Sequence, residues 1–394
     1  MMRRSLILGM ALALGLYPLL PPASAYVLNR TVGNSGGCPQ YDRHNLGATI
    51  DRRWIVSFPT NKYFTQSGAI GATPTAGQIL EISQAIESSF DVWASAGTSL
   101  VRSSLQPLVQ VSTTTTNDCN FTDNRNTICF NEPDAFATGV IAFTIVSVNF
   151  SNPVGEILDA DVLFNPDPNI SLATRQAQSS SHYDLESVMT HELGHFFGFS
   201  HSSVMRAMMY PFAPAPGTFH GGAAPADRCP IVTSSGPLCD TPLSDDDRAG
   251  LRVLYPNAAD TLNIGSIAGR ILPANPISNA SAAQPTPGPL TGIFGAHVVA
   301  EDADSGAVMA SIVAGWSCNP STGQIQFDGS YKIEGLPVNR NYKLLVEPLD
   351  QPTTAPNISN ALNDLCRPGS CNVPRDAQNN PVVNTNFTTK VKPQ

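Results

Sequence analysis

Charge is scarce in this sequence. Asp, Glu, Lys and Arg make up only 13% of 394 residues, about half the usual share, so a disordered acidic tail and a heavily charged cytosolic surface are both excluded. The 22 basic residues are outnumbered by 31 acidic ones, which leaves no basic footprint for nucleic acid. Beyond the N-terminal residues no apolar run approaches the ~20 residues that a membrane-spanning helix needs, so a multi-pass membrane protein is set aside. No C-x2-C pair occurs, which removes the knuckle of a structural zinc site. Turn chemistry is abundant instead. The 33 prolines and 30 glycines point to loops and β-turns rather than a long helical bundle or coiled coil.

The N-terminus sets the compartment. Arg3 and Arg4 precede an apolar stretch from Leu6 to Leu20, and Ala23-Ser24-Ala25 supplies a small-residue cleavage pattern. Residues 1–25 are expected to be a secretory signal peptide, with the prolines at Pro21 and Pro22 arguing against an anchor. The mature chain is then extracellular, with no membrane span and a monomer as the expectation. Eight cysteines in an exported chain suggest disulfides. Cys119 with Cys129, Cys229 with Cys239 and Cys366 with Cys371 stand at short spacings. Cys38 and Cys318 remain, either bridged across domains or free.

Mixed strand and helix signals run up to Tyr255-Pro256, an α+β pattern. Residues 26–50 show little periodicity. Strands are expected at Arg53–Phe58, Leu108–Val111, Gly139–Val148 and Ile157–Phe164. Thr75 and Gln78 make a possible capping box, followed by Ile79, Ile82, Ile86, Phe90 and Trp93 at helical spacing. Further helices are expected over about 184–197 and 244–254. From 264 to 348 the pattern changes to short strands near Ile267, Ala296, Tyr331 and Asn341, as in a small all-β sandwich. Between them Pro273–Pro289 is a loop of Pro, Ala, Ser and Asn. The last 45 or so residues are turn-rich, with one possible strand at Val383–Val391.

The chemistry concentrates in H-E-L-G-H-F-F-G-F-S-H, residues 191–201, which holds three of the chain's seven histidines. On a helix, His191 and His195 stand four residues apart on one face and can chelate one ion. Glu192 lies one step round, able to reach a metal-bound water without being a ligand. Gly198 can take the left-handed conformation that ends a helix, bringing His201 back as a third nitrogen. Three neutral imidazoles leave a fourth zinc position open, the arrangement of a catalytic site. The metal activates a water, and Glu192 takes its proton and passes it to the leaving amine.

These residues resemble the metzincin metallopeptidases, and within them the matrixins, over about residues 50–256. Met209, in Ala207-Met208-Met209-Tyr210-Pro211, is similar to the matrixin turn whose methionine lies beneath the metal. Leu243 to Leu251 looks like the helix that closes matrixin catalytic domains, with Ser244 and Asp247 as its cap. Gly139-Val140-Ile141-Ala142-Phe143-Thr144 looks like the edge strand along which matrixins bind extended peptides; a plain core strand is the alternative. The resemblance implies substrate contacts at Gly139, Val140, Ile141, Ala142, Tyr210 and Pro211, and protein or peptide substrates. Two departures matter. No inhibitory P-R-C-G-x-P-D motif is present, and the stretch 149–165 contains no histidine, so a single catalytic Zn2+ is expected. Asn165, Asp167 and Asn169 alternate oxygen donors open to Ca2+, but the central glycine and terminal Glu of a calcium loop are missing and a solvated turn is expected.

Residues Gly295 to Asp302 and Phe327 to Pro337 resemble carboxypeptidase-regulatory-like or transthyretin-like β-sandwiches, a match that speaks to fold and hardly to function. The expected organisation is a signal peptide at 1–25, an N-terminal segment at 26–50, a matrixin-like zinc peptidase at 51–258, a β-sandwich at 262–350 and a turn-rich extension at 351–394. A fragment of residues 26–260 is expected to fold and cleave small peptides. The rival reading is a surface adhesion protein that keeps the metzincin frame without turnover, a role with no need of Glu192. Cys38, followed by Pro39, could as a thiolate fill the open zinc position and impose latency. A Cys38–Cys318 bridge, which explains the even cysteine count, is the expectation.

Overall fold

The structure, a computed structural model, describes residues 28–94, 101–112, 119–132, 136, 139–202, 204, 207–217, 243–257, 262–272, 292–293 and 295–348. It also describes the backbone of four short strands, Met10–Ala13, Ile231–Thr233, Gly236–Leu238 and Lys390–Lys392. The Cys229/Cys239 and Cys366/Cys371 pairs, the Pro273–Pro289 loop and, apart from those short strands, the expected signal peptide and C-terminal extension lie outside the described residues.

Five strands form the sheet of the α+β region: β1 Ile50–Ile55, β2 Leu105–Val111, β3 Thr127–Cys129, β4 Val140–Val148 and β5 Ile157–Phe164. Their order is β4-β5-β3-β1-β2. All neighbours are parallel except β4, which runs antiparallel to β5 with Thr144 opposite Val162. Seven of the eight β5 residues are buried, as expected of a strand covered on both faces. The outer edge of β4 carries the Met10–Ala13 strand antiparallel, with Met10 opposite Thr144 and Ala13 opposite Val140.

The expected strand at Arg53–Phe58 lies three residues earlier, and the reason is one buried cation. Ile50, Arg52 and Trp54 alternate on the inner side of β1. The Arg52 guanidinium stands over the Phe90 ring, 4.7 Å from its centroid, and pairs with Glu87 at 2.7 Å, so an arginine occupies a core position. Phe58 has left the sheet for an aromatic cluster with Tyr63 and Phe130.

Helix α1, Ala76–Ala94, buries Ile82, Ile86, Phe90 and Trp93. The capping box forms as expected: the Gln78 N–H donates to Thr75 Oγ1 and the Thr75 N–H donates to Gln78 Oε1. Helix α2 spans Leu185–Phe196 and α3 spans Asp245–Leu254, the latter with Ser244 and Asp247 completing a capping box. Ahead of β1, Arg30–Thr31 and Gln40–Tyr41 pair as a small hairpin. Two disulfides are present among the described residues, Cys119–Cys129 and Cys38–Cys318. The second commits Cys38 to a bridge rather than to a thiolate switch.

Beyond Pro256 the chain adds β6 Ile264–Arg270, β7 Ala296–Asp302, β8 Val308–Ala314, β9 Ser330–Pro337 and β10 Tyr342–Pro348. β6 pairs with β9, while β8, β7 and β10 form a second sheet that Lys390–Lys392 extends. Strand β8 was not expected from the sequence; its run of small and apolar residues, V-M-A-S-I-V-A, alternates nowhere. The core does not stop where composition shifts. Ala249, Leu251 and Leu254 of α3 belong to the same buried cluster as Met309, Ile333 and Leu336.

The turn at Asn165, Asp167 and Asn169, expected to be a solvated turn, is closed by its own side chains. Asn165 Oδ1 accepts the Asp167 N–H at 2.8 Å, and Asp167 Oδ1 accepts from Asn169 N at 2.9 Å and Nδ2 at 2.8 Å. The buried Lys62 ammonium donates to the carbonyls of Asp167 and Ile170, so a side-chain cation neutralises this turn.

Within β5, Asp161 is 1% exposed; its Oδ1 accepts the Thr127 N–H at 2.7 Å and its Oδ2 has no partner. Burial, then the neighbouring Asp159 carboxylate, pushes Asp161 up to about 8. A folded pKa above the unfolded one means that the unfolded state releases its proton first, so stability falls as pH rises from about 4 towards 8. Asp161→Asn keeps the acceptor for Thr127 and should flatten that fall in a denaturant titration series; an unchanged slope would contradict it.

Candidate metal centre

Helix α2 is buried along its whole length, all twelve residues of it. Asp184 caps its start by accepting the Glu186 N–H at 3.1 Å. α1 fixes its position: Trp93 Nε1–H donates to the Thr190 carbonyl at 2.8 Å and Ser89 Oγ–H to the Glu186 carbonyl at 3.3 Å. Its C-terminal carbonyls would be orphans without outside donors. Tyr255 Oη–H donates to Phe197 O at 2.8 Å, and a ring nitrogen of His44 lies 3.0 Å from Phe196 O.

The chain then reverses at Gly198, where φ is +100°. Asn29 N–H donates to Gly198 O at 2.9 Å and Asn29 Nδ2 to Phe199 O at 3.1 Å. A Cβ on Gly198 would lie 2.1 Å from the Asp42 carbonyl oxygen, so glycine is required here by both conformation and space. The reversal returns His201 to the helix.

His191, His195 and His201 each offer one ring nitrogen to a common point, all within 4.8 Å of one another. They are 2%, 1% and 3% exposed. Nδ1 of His191 stands 2.7 Å from Met208 O and Nδ1 of His195 stands 2.9 Å from Phe199 O. A proton on each Nδ1 leaves Nε2 as a lone pair. The Nε2 of His191 and both ring nitrogens of His201 have no hydrogen-bond partner. Burial lowers His191 to about 4 and His201 well below its ordinary value, so these two imidazoles are neutral. Converging nitrogen donors, orphaned and neutral at His191 and His201, fit a tetrahedral N-ligated zinc.

Glu192 is fully buried beside them. Thr144 Oγ1–H, on β4, lies 2.7 Å from Glu192 Oε2 and 3.0 Å from its main-chain oxygen, while Oε1 has no partner. Burial raises Glu192 to about 8, against the opposing Thr144 hydrogen bond.

Met209 is fully buried under the helix. Gly194 admits it: a Cβ there would sit 2.0 Å from the Met209 sulfur. Asp247 holds the turn, accepting the Met208 N–H at 2.7 Å on Oδ2 and the Met209 N–H at 3.2 Å on Oδ1. The Ser202 N–H donates to Met209 O at 2.7 Å.

Val140, Ile141 and Ala142 are buried in β4 behind Gly139, which takes φ +83°. Asn165 binds this end of the strand through the carbonyls of Val140 and Ile141. Tyr210 is half-buried with its ring against Phe212, and Pro211 follows it. Two contributions went unread in the sequence. Thr144 was seen only as part of a strand, although alternation places it on the same face as Val140 and Ala142. Asp247 was read as a helix cap and not as the anchor of the methionine turn.

Residues 69–221 match the family model for matrixin. The chain is also similar to metalloendoproteinase 1 of Glycine max, 32% identical over 105 residues that cover 22% of this chain and 33% of the relative. The matched stretch therefore spans about a third of that protein's length.

Gly198→Ala should destabilise the fold by about 3 kcal/mol or more, because a left-handed turn and a contact with Asp42 O are violated together. Chemical denaturation measures the loss; a cost below about 1 kcal/mol would mean that the reversal tolerates a side chain.

Proposed function

Since the chain carries a matrixin-like metzincin domain, we propose that it is a secreted zinc endopeptidase acting on extracellular proteins or peptides. The observation that carries this reading is the buried carboxylate of Glu192, with one oxygen held by Thr144 and the other unpaired, beside three converging imidazoles. An adhesion protein has no use for such a group.

His191, His195 and His201 would hold one zinc, which when bound supplies Lewis acidity and makes a water nucleophilic near neutral pH. Thr144 fixes Glu192 Oε2, so Oε1 is the oxygen that takes the proton from the attacking water. Glu192 then delivers that proton to the departing amine, and the carboxylate is regenerated. His191 and His195 keep their donor nitrogens aimed through the carbonyls at Nδ1. Met209 closes the floor and excludes water from below.

The edge of β4 is the proposed substrate cradle, with Gly139 to Ala142 on one side and Tyr210 and Pro211 on the other. An extended peptide would add there as a strand. Met10–Ala13 already lies on that edge antiparallel, in support of its capacity to take one, and removal of residues 1–25 as a leader would vacate it. The strands beyond Pro256 are proposed to form a β-sandwich that supports or docks the peptidase. Helix length and composition give no candidate for crossing a membrane among the described residues.

Glu192→Ala should retain one equivalent of zinc while proteolysis falls ~10²–10⁴-fold, read by metal analysis and peptide cleavage on the same sample. Two tightly held zincs, or near-normal turnover, would contradict the assignment. Thr144→Val leaves the base in place but unaligned, and kcat should drop about tenfold or more with little change in KM; an unchanged kcat would remove Thr144 from the machinery.

A further inference from the structure

We infer that Asp246 is a positioning residue through which the strand region beyond Pro256 sets the third histidine of the metal centre. The inference rests on the zinc-peptidase reading.

His201 differs from its two partners. His191 and His195 are fixed on a helix and steered by a carbonyl at Nδ1, whereas neither ring nitrogen of His201 has a partner among the described residues. Its ring therefore stands where its backbone puts it, and the next residue is what holds that backbone. Ser202 Oγ–H donates to Asp246 Oδ2 at 2.8 Å, and the same Oγ accepts the Val204 N–H at 3.0 Å.

The other oxygen of Asp246 faces the opposite way. Oδ1 accepts the Ser311 N–H at 3.0 Å and the Ser311 Oγ–H at 3.1 Å. Ser311 lies in β8, the outer strand of its sheet, so its outward N–H finds no strand to receive it and would be a buried orphan without the carboxylate. Asp246, Ser202 and Ser311 are all 1% exposed or less, and Asp246 stands in the first turn of α3, where helix N–H groups favour negative charge.

One rigid carboxylate thus joins the loop that carries His201 to the edge of a sheet more than 100 residues further on. Hydrogen bonds to an ionised acceptor are among the stronger ones, and turning the plane of Asp246 to follow Ser311 moves Oδ2, and with it Ser202. The region after Pro256 is then part of the metal centre's support. A fragment of residues 26–260 lacks Ser311 and should hold the metal more weakly.

The test uses the full chain loaded with Co2+, whose visible absorption reports ligand geometry, with metal affinity read by chelator competition and stability by thermal unfolding. Ser202→Ala, Ser311→Ala and Asp246→Asn each cut the link. Arg252→Ala serves as control, because Arg252 bonds Gly335 O at 3.1 Å across the same interface and has no bond to His201 or Ser202. The expected result is metal affinity weakened ~10–100-fold with an altered Co2+ spectrum in the first three. Arg252→Ala should lose only thermal stability. A native spectrum and affinity in folded Asp246→Asn, or an equal metal defect in Arg252→Ala, would overturn the inference and leave a plain interface contact. Should Asp246→Asn not fold, the two single-hydroxyl deletions decide by the same criteria. Failure of the underlying reading is distinct: the native chain itself would take up neither zinc nor cobalt.

Discussion

Five residues lie between His195 and His201, and within them the chain must leave a helix, reverse and return to it. That reversal is the constraint on which the rest of the fold is organised. It is possible only at Gly198, packed against the Asp42 carbonyl with no room for a side chain. The carbonyls freed where the helix ends are then taken up from outside it. Asn29 reaches Phe199, Tyr255 reaches Phe197, and His44 stands against Phe196. The N-terminal segment, loose by composition, is in place a brace on the end of the histidine-bearing helix.

Two adjacent acids at the start of α3 divide the remaining work. Asp247 turns inward to the amides of Met208 and Met209, and Asp246 turns to Ser202 on one side and Ser311 on the other. Burying carboxylates is unfavourable unless every oxygen is engaged. Here Asp247 accepts the backbone N–H groups of Ser244, Met208 and Met209, and Asp246 accepts the Ser311 N–H with the hydroxyls of Ser311 and Ser202, so their desolvation secures the two segments that flank His201. The methionine turn and the returning histidine are therefore set by the same helix end.

What the sequence disclosed and what it concealed follow from distance along the chain. Caps act over two or three residues, and Thr75 with Gln78 and Ser244 with Asp247 were legible as pairs before any coordinates. The spacing of His191, His195, Gly198 and His201 was legible for the same reason. Thr144 lies 48 residues from Glu192 and Ser311 lies 65 from Asp246, and no local pattern joins such partners. The first strand was misplaced by three residues because Arg52 holds a core position, its charge offset by Glu87 and its stem laid over Phe90. Strand β8 escaped notice because small and apolar residues fill both of its faces, so no alternation marks it. The boundary at Pro256 is real as a change of composition, but hydrophobic packing runs across it.

The Cys38–Cys318 bridge spans a sequence separation of 280 and closes the histidine-bearing helix, its turn and most of the later strands into one covalent ring. In the unfolded chain such a ring removes up to ~5 kcal/mol of conformational freedom. On the proposed reading, the chain would itself be the protein most concentrated around its own active centre. Any single cut between residues 39 and 317 would open the ring without parting it into two molecules, so a once-nicked chain keeps Ser311 tethered beside Asp246. Self-digestion would have to strike twice before the centre lost its support.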